Sequence, residues 1–281
     1  MRNILGERYI RMLERHAARR MFVTDEVECI EPAFDKDGEN MNPTERFGTR
    51  AKDYAAHRPG YPEEVIDYIL DGLGDSTKLI AADVGAGTGI SSRALAERGV
   101  RVIAVEPNAA MRASAEEHER VEWRDGTAEA TGLGDKSVDL TASFQAFHWF
   151  ANDAALEEFR RITRQRIVLV QYERDETVPV SHALGDIYRA YALDDTEALR
   201  MCGMDFFSGF PGAIVSRTTI RWKRQVTLDQ LLGVVASSSY LPKTAPDSDR
   251  LRTDVQALHE RYATDELMEL GMQTFAVRAD I

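Results

Sequence analysis

The chain has few cysteines and no long apolar run. Two cysteines among 281 residues, Cys29 and Cys202, sit in no metal or redox motif. A disulfide framework is therefore excluded, and reduced, inert thiols are expected. No apolar stretch approaches the roughly 18 residues that a membrane helix needs. The first residues, MRNILGERYIRML, lack an apolar core followed by a small-residue cleavage site, so no signal peptide is expected and the location expected is cytoplasmic. Positive charge is also short. With 35 Lys and Arg against 47 Asp and Glu, the net charge is −12. General nucleic-acid binding, which rests on phosphate neutralisation, is disfavoured. No H-x-x-H or carboxylate cluster suggests a metal.

The most informative stretch is LIAADVGAGTG at 79–89. A short apolar run ends in Asp83, and Gly85, Gly87 and Gly89 follow at alternating positions. A second apolar run, VRVIAVEP, ends in Glu106 and Pro107. This is the layout of a βαβ unit that binds an adenosine-type cofactor. Glycines let backbone approach the ligand, and the carboxylate after the second strand accepts from a ribose diol. A dinucleotide fingerprint, G-x-G-x-x-G, would put its third glycine at position 90. That position is Ile90, which disfavours an NAD-dependent oxidoreductase. An acid two residues before the first glycine is unhelpful beside a pyrophosphate and suits a cationic ligand.

The pattern resembles motif I of the class I S-adenosylmethionine-dependent methyltransferases. Asp83, Gly85, Ala86, Gly87 and Gly89 match the loop, and Glu106 with Pro107 the ribose position. DGTAEATGL resembles the GDAE-x-LP segment of the methyltransferase-11 type. The resemblance implies that Thr127, Ala128 and Glu129 meet the adenine edge, with Thr127 in place of the common aspartate. SFQAFHWF is similar to the F-x-A-x-H-W segment of trans-aconitate, juvenile-hormone-acid and malonyl-carrier-protein carboxyl methyltransferases. By that likeness Gln145 contacts cofactor or substrate, and His148 and Trp149 line the pocket. TRAKDYAAHRPGYP resembles the Y-x-x-x-R-P-x-Y-P segment of the same relatives. It implies that Tyr54 covers the methionine portion and that Arg58 approaches its carboxylate or the substrate.

Around these motifs, strands and helices alternate, which implies a parallel sheet with right-handed crossovers. A helix PEEVIDYILDGL with Pro62 in its first turn precedes strand one, and a helix from Asn108 through NAAMRASAEEH follows strand two. SHALGDIYRAYALDDTEALRM reads as helix, IVSRTTIRWKRQVT as strand, and TLDQLLGVVASSS as a helix capped by Thr227. SDRLRTDVQALHERYA is a last helix and MQTFAVRA a last strand. The fold expected is α/β: a Rossmann-like, seven-stranded mixed sheet flanked by helices, with the last strand antiparallel, as the resemblance implies, and helical C-terminal insertions forming a substrate cap. Residues 1–40 read as a basic helix plus polar linker outside the resemblance, and 41–281 as the catalytic domain. Its cofactor half spans about 46–175 and its cap half about 176–281.

The function expected is S-adenosyl-L-methionine-dependent methylation of a small molecule, without nucleic acid or a membrane span, by a monomer or homodimer. Transfer to a carboxylate or hydroxyl oxygen comes first. N- or C-methylation and a non-catalytic cofactor-binding protein remain open. A carboxylate needs no base. A hydroxyl would want one, and His148 is the base candidate in that region.

Overall fold

The computed structural model describes residues 59–193 and 212–281. Seven strands form one sheet. They are β1 (Ile80–Val84), β2 (Arg101–Val105), β3 (Val121–Arg124), β4 (Val138–Phe144), β5 (Thr163–Arg174), β6 (Ile214–Val226) and β7 (Met268–Asp280). Their order is β3-β2-β1-β4-β5-β7-β6. The first five are mutually parallel. β7 runs antiparallel to both β5 and β6. This is the mixed Rossmann-like sheet expected, with the reversed strand wedged between its neighbours.

The helices are α1 (Glu63–Leu70), α2 (Ile90–Glu97), α3 (Ala109–Ala113), α4 (Asp153–Ile162), α5 (Pro179–Tyr191), α6 (Leu228–Ser237) and α7 (Asp247–Tyr262). Alternation along β1 divides the core. Ala81 faces a cluster with Val65, Ile69 and Leu95, from α1 and α2. Ala82 and Val84 face the opposite cluster with Phe159 and Ile162 of α4. A third cluster joins Leu184 of α5, Leu231 of α6 and Val255 of α7 to Leu270 and Met272 on β7. The C-terminal helices thus share one apolar core with the ends of β5, β6 and β7.

Local signals explain the boundaries. Asn108 caps α3 by accepting from Ala110 and Met111, and Asn152 caps α4 by accepting from Ala155. Thr227 and Gln230 form a reciprocal capping box on α6. Gly99, at φ +91°, follows the end of α2. Pro62 is the residue just before α1, one place ahead of the expected first turn. α3 is shorter than the helix expected through residue 118. Beyond Met111 that segment has no buried residue to hold it against the fold, and a short helix without an apolar face is not stable alone. α5 ends at Tyr191, and the rest of the helix expected through residue 201 falls largely outside the described residues.

Candidate active site

The strand order reverses between β1 and β4. In open α/β sheets, ligands lie beyond the strand carboxyl ends at that point. A cavity of about 320 Å³ opens there. The turns after β1, β2, β3 and β4 all reach it: Gly85–Gly87, Glu106 and Pro107, Thr127–Glu129, and Gln145. Four motifs separated in sequence thus meet at one wall.

The glycine turn is shaped by close packing as well as by the ligand face. A Cβ at Gly85 would stand 2.6 Å from the Ala146 Cβ, and the residue holds φ +76°. A Cβ at Gly89 would meet the Trp123 ring at 2.9 Å. Gly89 is the N-cap residue just before α2 and is not among the lining residues; Thr88, Ile90 and Ser91 are.

Glu106 anchors the turn from the next strand. Its Oε2 accepts from Gly87 N and its Oε1 from Asn108 N, each at 2.9 Å. Burial raises its pKa, against the two backbone hydrogen bonds that lower it. The carboxylate oxygens retain further lone pairs toward the cavity, so the residue can still accept from a diol.

Asp83 departs from the sequence expectation of direct contact with a cation. It is 0% exposed and does not line the cavity. Its Oδ2 accepts from the Ser91 and Ser92 hydroxyls at 2.7 and 2.6 Å, tying β1 to the first turn of α2. Burial lifts its pKa to about 6, partly offset by the two serines and reinforced by the charge of Glu106. Among the described residues, Ser91 both bonds this carboxylate and lines the cavity.

Gln145 follows β4 at φ +55°, a left-handed conformation unusual outside glycine. Such strain persists where the surroundings over-determine it, and they do here. Gln145 N donates to Val170 O at 2.8 Å, its Nε2 donates to Tyr172 O at 3.2 Å, and its Oε1 accepts from Gln171 Nε2 at 2.8 Å. The amide is fixed at the cavity edge by the end of β5.

Phe147–Trp149 is a 3₁₀ turn. Residues three apart eclipse in such a turn, so Ala146 and Trp149 reach the cavity together. Phe150 also lines it, but His148 does not. The ring of His148 lies 4.8 Å from that of Trp149.

Tyr54 and Arg58 lie outside the described residues. Sequence reasoning missed Pro59, Tyr61, Met111, Phe144 and Tyr172, all of which line the cavity. Tyr61 packs edge-on against Phe144 at 4.8 Å and tilted against Tyr172 at 5.6 Å. The signal for Tyr61 was present in the RPGYP segment. Tyr172 had none, because RIVLVQY reads as a strand buried on both faces, and nothing in it marks where the strand leaves the core.

The glycine turn, the carboxylate after β2 and the carboxyl ends of the parallel strands border one cavity. The methyltransferase-domain family model matches residues 82–170. An uncharacterized methyltransferase-like protein of Schizosaccharomyces pombe is 33% identical over 243 residues, covering 83% of this chain and 94% of its own length. An uncharacterized methyltransferase of Mycobacterium tuberculosis is 31% identical over 246 residues, covering 84% and 95%. Among solved structures, one assigned as a type II methyltransferase from Anaeromyxobacter dehalogenans superposes with a TM-score of 0.61 at 27% identity, over 80% of this chain and 97% of that one. The chain belongs to the class I S-adenosylmethionine-dependent methyltransferases.

Proposed function

We propose that this enzyme methylates an oxygen, carboxylate or hydroxyl, of a small molecule. The observation that carries this reading is a second cavity beside the first. Pro59 and Tyr172 line both. One space fits a nucleoside cofactor, the other a small acceptor, and the transfer point falls between them.

The chain's residues fit S-adenosylmethionine. The cavity at the glycine turn admits backbone approach, and Glu106 presents a carboxylate for the ribose diol. In this reading Thr127, Ala128 and Glu129 hold the adenine. The last is steadied by Asn152, whose Nδ2 donates to Glu129 Oε1 at 3.0 Å. Tyr54 and Arg58 attend the methionine portion. When bound, the cofactor supplies a methyl carbon already activated by its sulfonium. The chain's remaining task is to hold the acceptor oxygen in line and keep water out. Such positioning can contribute roughly 7–11 kcal/mol. The aromatic wall of Tyr61, Phe144 and Tyr172 excludes water, and the fixed amide of Gln145 offers a polar contact at the edge.

A carboxylate acceptor is already ionised and needs no base, which agrees with a histidine beside the wall rather than on it. His148 then positions the turn that carries Trp149. Residues 1–40 are an accessory extension in this reading, and the enzyme works in the cytoplasm as a monomer or homodimer. The test is S-adenosylhomocysteine formation with the full chain across small acids, phenols and amines. Turnover confined to acids or phenols is expected. Turnover confined to amines or carbon acids overturns oxygen as the acceptor.

A further inference from the structure

We propose that Tyr172 binds the acceptor: its hydroxyl holds an oxygen of that molecule at the junction of the two cavities, while apolar side chains of the second cavity take its body. The acceptor class is then a small apolar molecule ending in a hydrogen-bonding oxygen. This rests on the methyltransferase reading of the first cavity and adds the residue that holds the acceptor.

The second cavity measures about 70 Å³. Its apolar wall comes from Leu184 of α5, Leu231 and Val234 of α6, Val226 at the end of β6, and Leu270 and Met272 of β7. Taking apolar surface out of water against such a wall is favourable. One water's share of the liquid is about 30 Å³, so the group buried here is small.

Most polar side chains on this wall are engaged within the chain. Gln171 Nε2 donates to Gln145 Oε1, and Ser238 Oγ to Val234 O, each at 2.8 Å. Glu173 Oε1 accepts from Gln273 Nε2 at 2.8 Å. Arg174 and Arg224 have partners of their own, and the Arg174 guanidinium carbon lies 4.7 Å from the centre of the Tyr188 ring. The Tyr172 hydroxyl differs. The residue is 6% exposed, and its hydroxyl is open to solvent rather than sealed in the core. Among the described residues that hydroxyl has no hydrogen-bond partner; the polar contact of Tyr172 is through its backbone carbonyl. Buried tyrosine hydroxyls usually find a partner, and an unpaired one is costly. A ligand oxygen would supply it.

Position singles out Tyr172 over Tyr240, whose hydroxyl likewise has no hydrogen-bond partner among the described residues. Tyr240 lines the second cavity alone, whereas Tyr172 and Pro59 line both. Proline has no side-chain donor, so Tyr172 is the junction residue that can hydrogen-bond through its side chain. Its ring is held in place, tilted against Tyr61 at 5.6 Å. A phenolic hydroxyl donates to a carboxylate and can accept from another hydroxyl, so it suits either oxygen acceptor. The held oxygen faces the first cavity, and the apolar body lies toward Leu184 and Leu231.

The test titrates the full chain by calorimetry, with and without saturating S-adenosylhomocysteine. Phenol and benzoate are the oxygen-bearing probes, and toluene is the probe of similar size without an oxygen. Phenol or benzoate is expected to bind about five-fold or more tightly than toluene. Tyr172→Phe keeps the ring and its packing on Tyr61. It should abolish that preference and leave the affinities for toluene and S-adenosylhomocysteine unchanged, which a merely structural role would not do. Equal binding of all three probes, or none by any, overturns the proposal, as does a preference that survives in Tyr172→Phe. Loss of the preference in Tyr240→Phe but not in Tyr172→Phe moves the held oxygen away from the junction and also overturns it. A fall in S-adenosylhomocysteine affinity in Tyr172→Phe would assign the hydroxyl to the first cavity instead. Failure of the wild type to bind S-adenosylhomocysteine counts against the cofactor reading, and the titrations without it still decide the role of Tyr172.

Discussion

Asp83→Asn isolates the energetic cost of the carboxylate beneath the glycine turn. Asp83 has a pKa of about 6 in the fold against its usual 3.8, with burial as the leading cause. The gap is worth roughly 3 kcal/mol at about 1.4 kcal/mol per pH unit. A carboxyl whose pKa is raised by folding binds its proton more tightly in the native state. Its contribution is therefore fully present below pH 3.8 and is lost as pH rises through about 6. Between pH 5 and pH 7 the loss is on the order of 1 kcal/mol. An asparagine cannot titrate and keeps an oxygen to accept from Ser91 and Ser92. Urea unfolding of both proteins at pH 5 and pH 7 measures the effect. The wild type should lose on the order of 1 kcal/mol relative to the variant on going from pH 5 to pH 7. A difference that does not change with pH would refute the burial argument.

Three further outcomes are expected. Glu106→Ala should weaken S-adenosylmethionine binding about ten-fold or more, because hydrogen bonds to a charged group contribute roughly 1.5–3 kcal/mol; unchanged affinity by calorimetry in a folded variant would remove Glu106 from the ribose site. Gly85→Ala should cost roughly 1–3 kcal/mol of stability and reduce cofactor affinity, since its Cβ would stand 2.6 Å from Ala146; a thermal midpoint equal to wild type would contradict that packing. His148→Gln should lower turnover modestly and leave the pH–rate profile intact. A loss of about 10²–10⁴-fold with a missing limb near the histidine pKa would instead make His148 a base.

Local chemistry in the sequence determined the βαβ motif, the carboxylate after β2, the helix caps at Asn108, Asn152 and Thr227, and the alternation of elements. Each follows from a residue's neighbours within a few positions: a glycine run, an apolar run with an acid at its end, a side chain that accepts from backbone two or three residues on. Tertiary structure decided what depends on which side chains face each other across the sheet. It turned Asp83 inward onto two serines and His148 off the wall. It brought Tyr172, from an apolar strand with no polar signature, to the boundary between two cavities. A sequence shows the period of a strand, but the partner and register of that strand come only from folding, because pairing energy lies between segments that are distant along the chain.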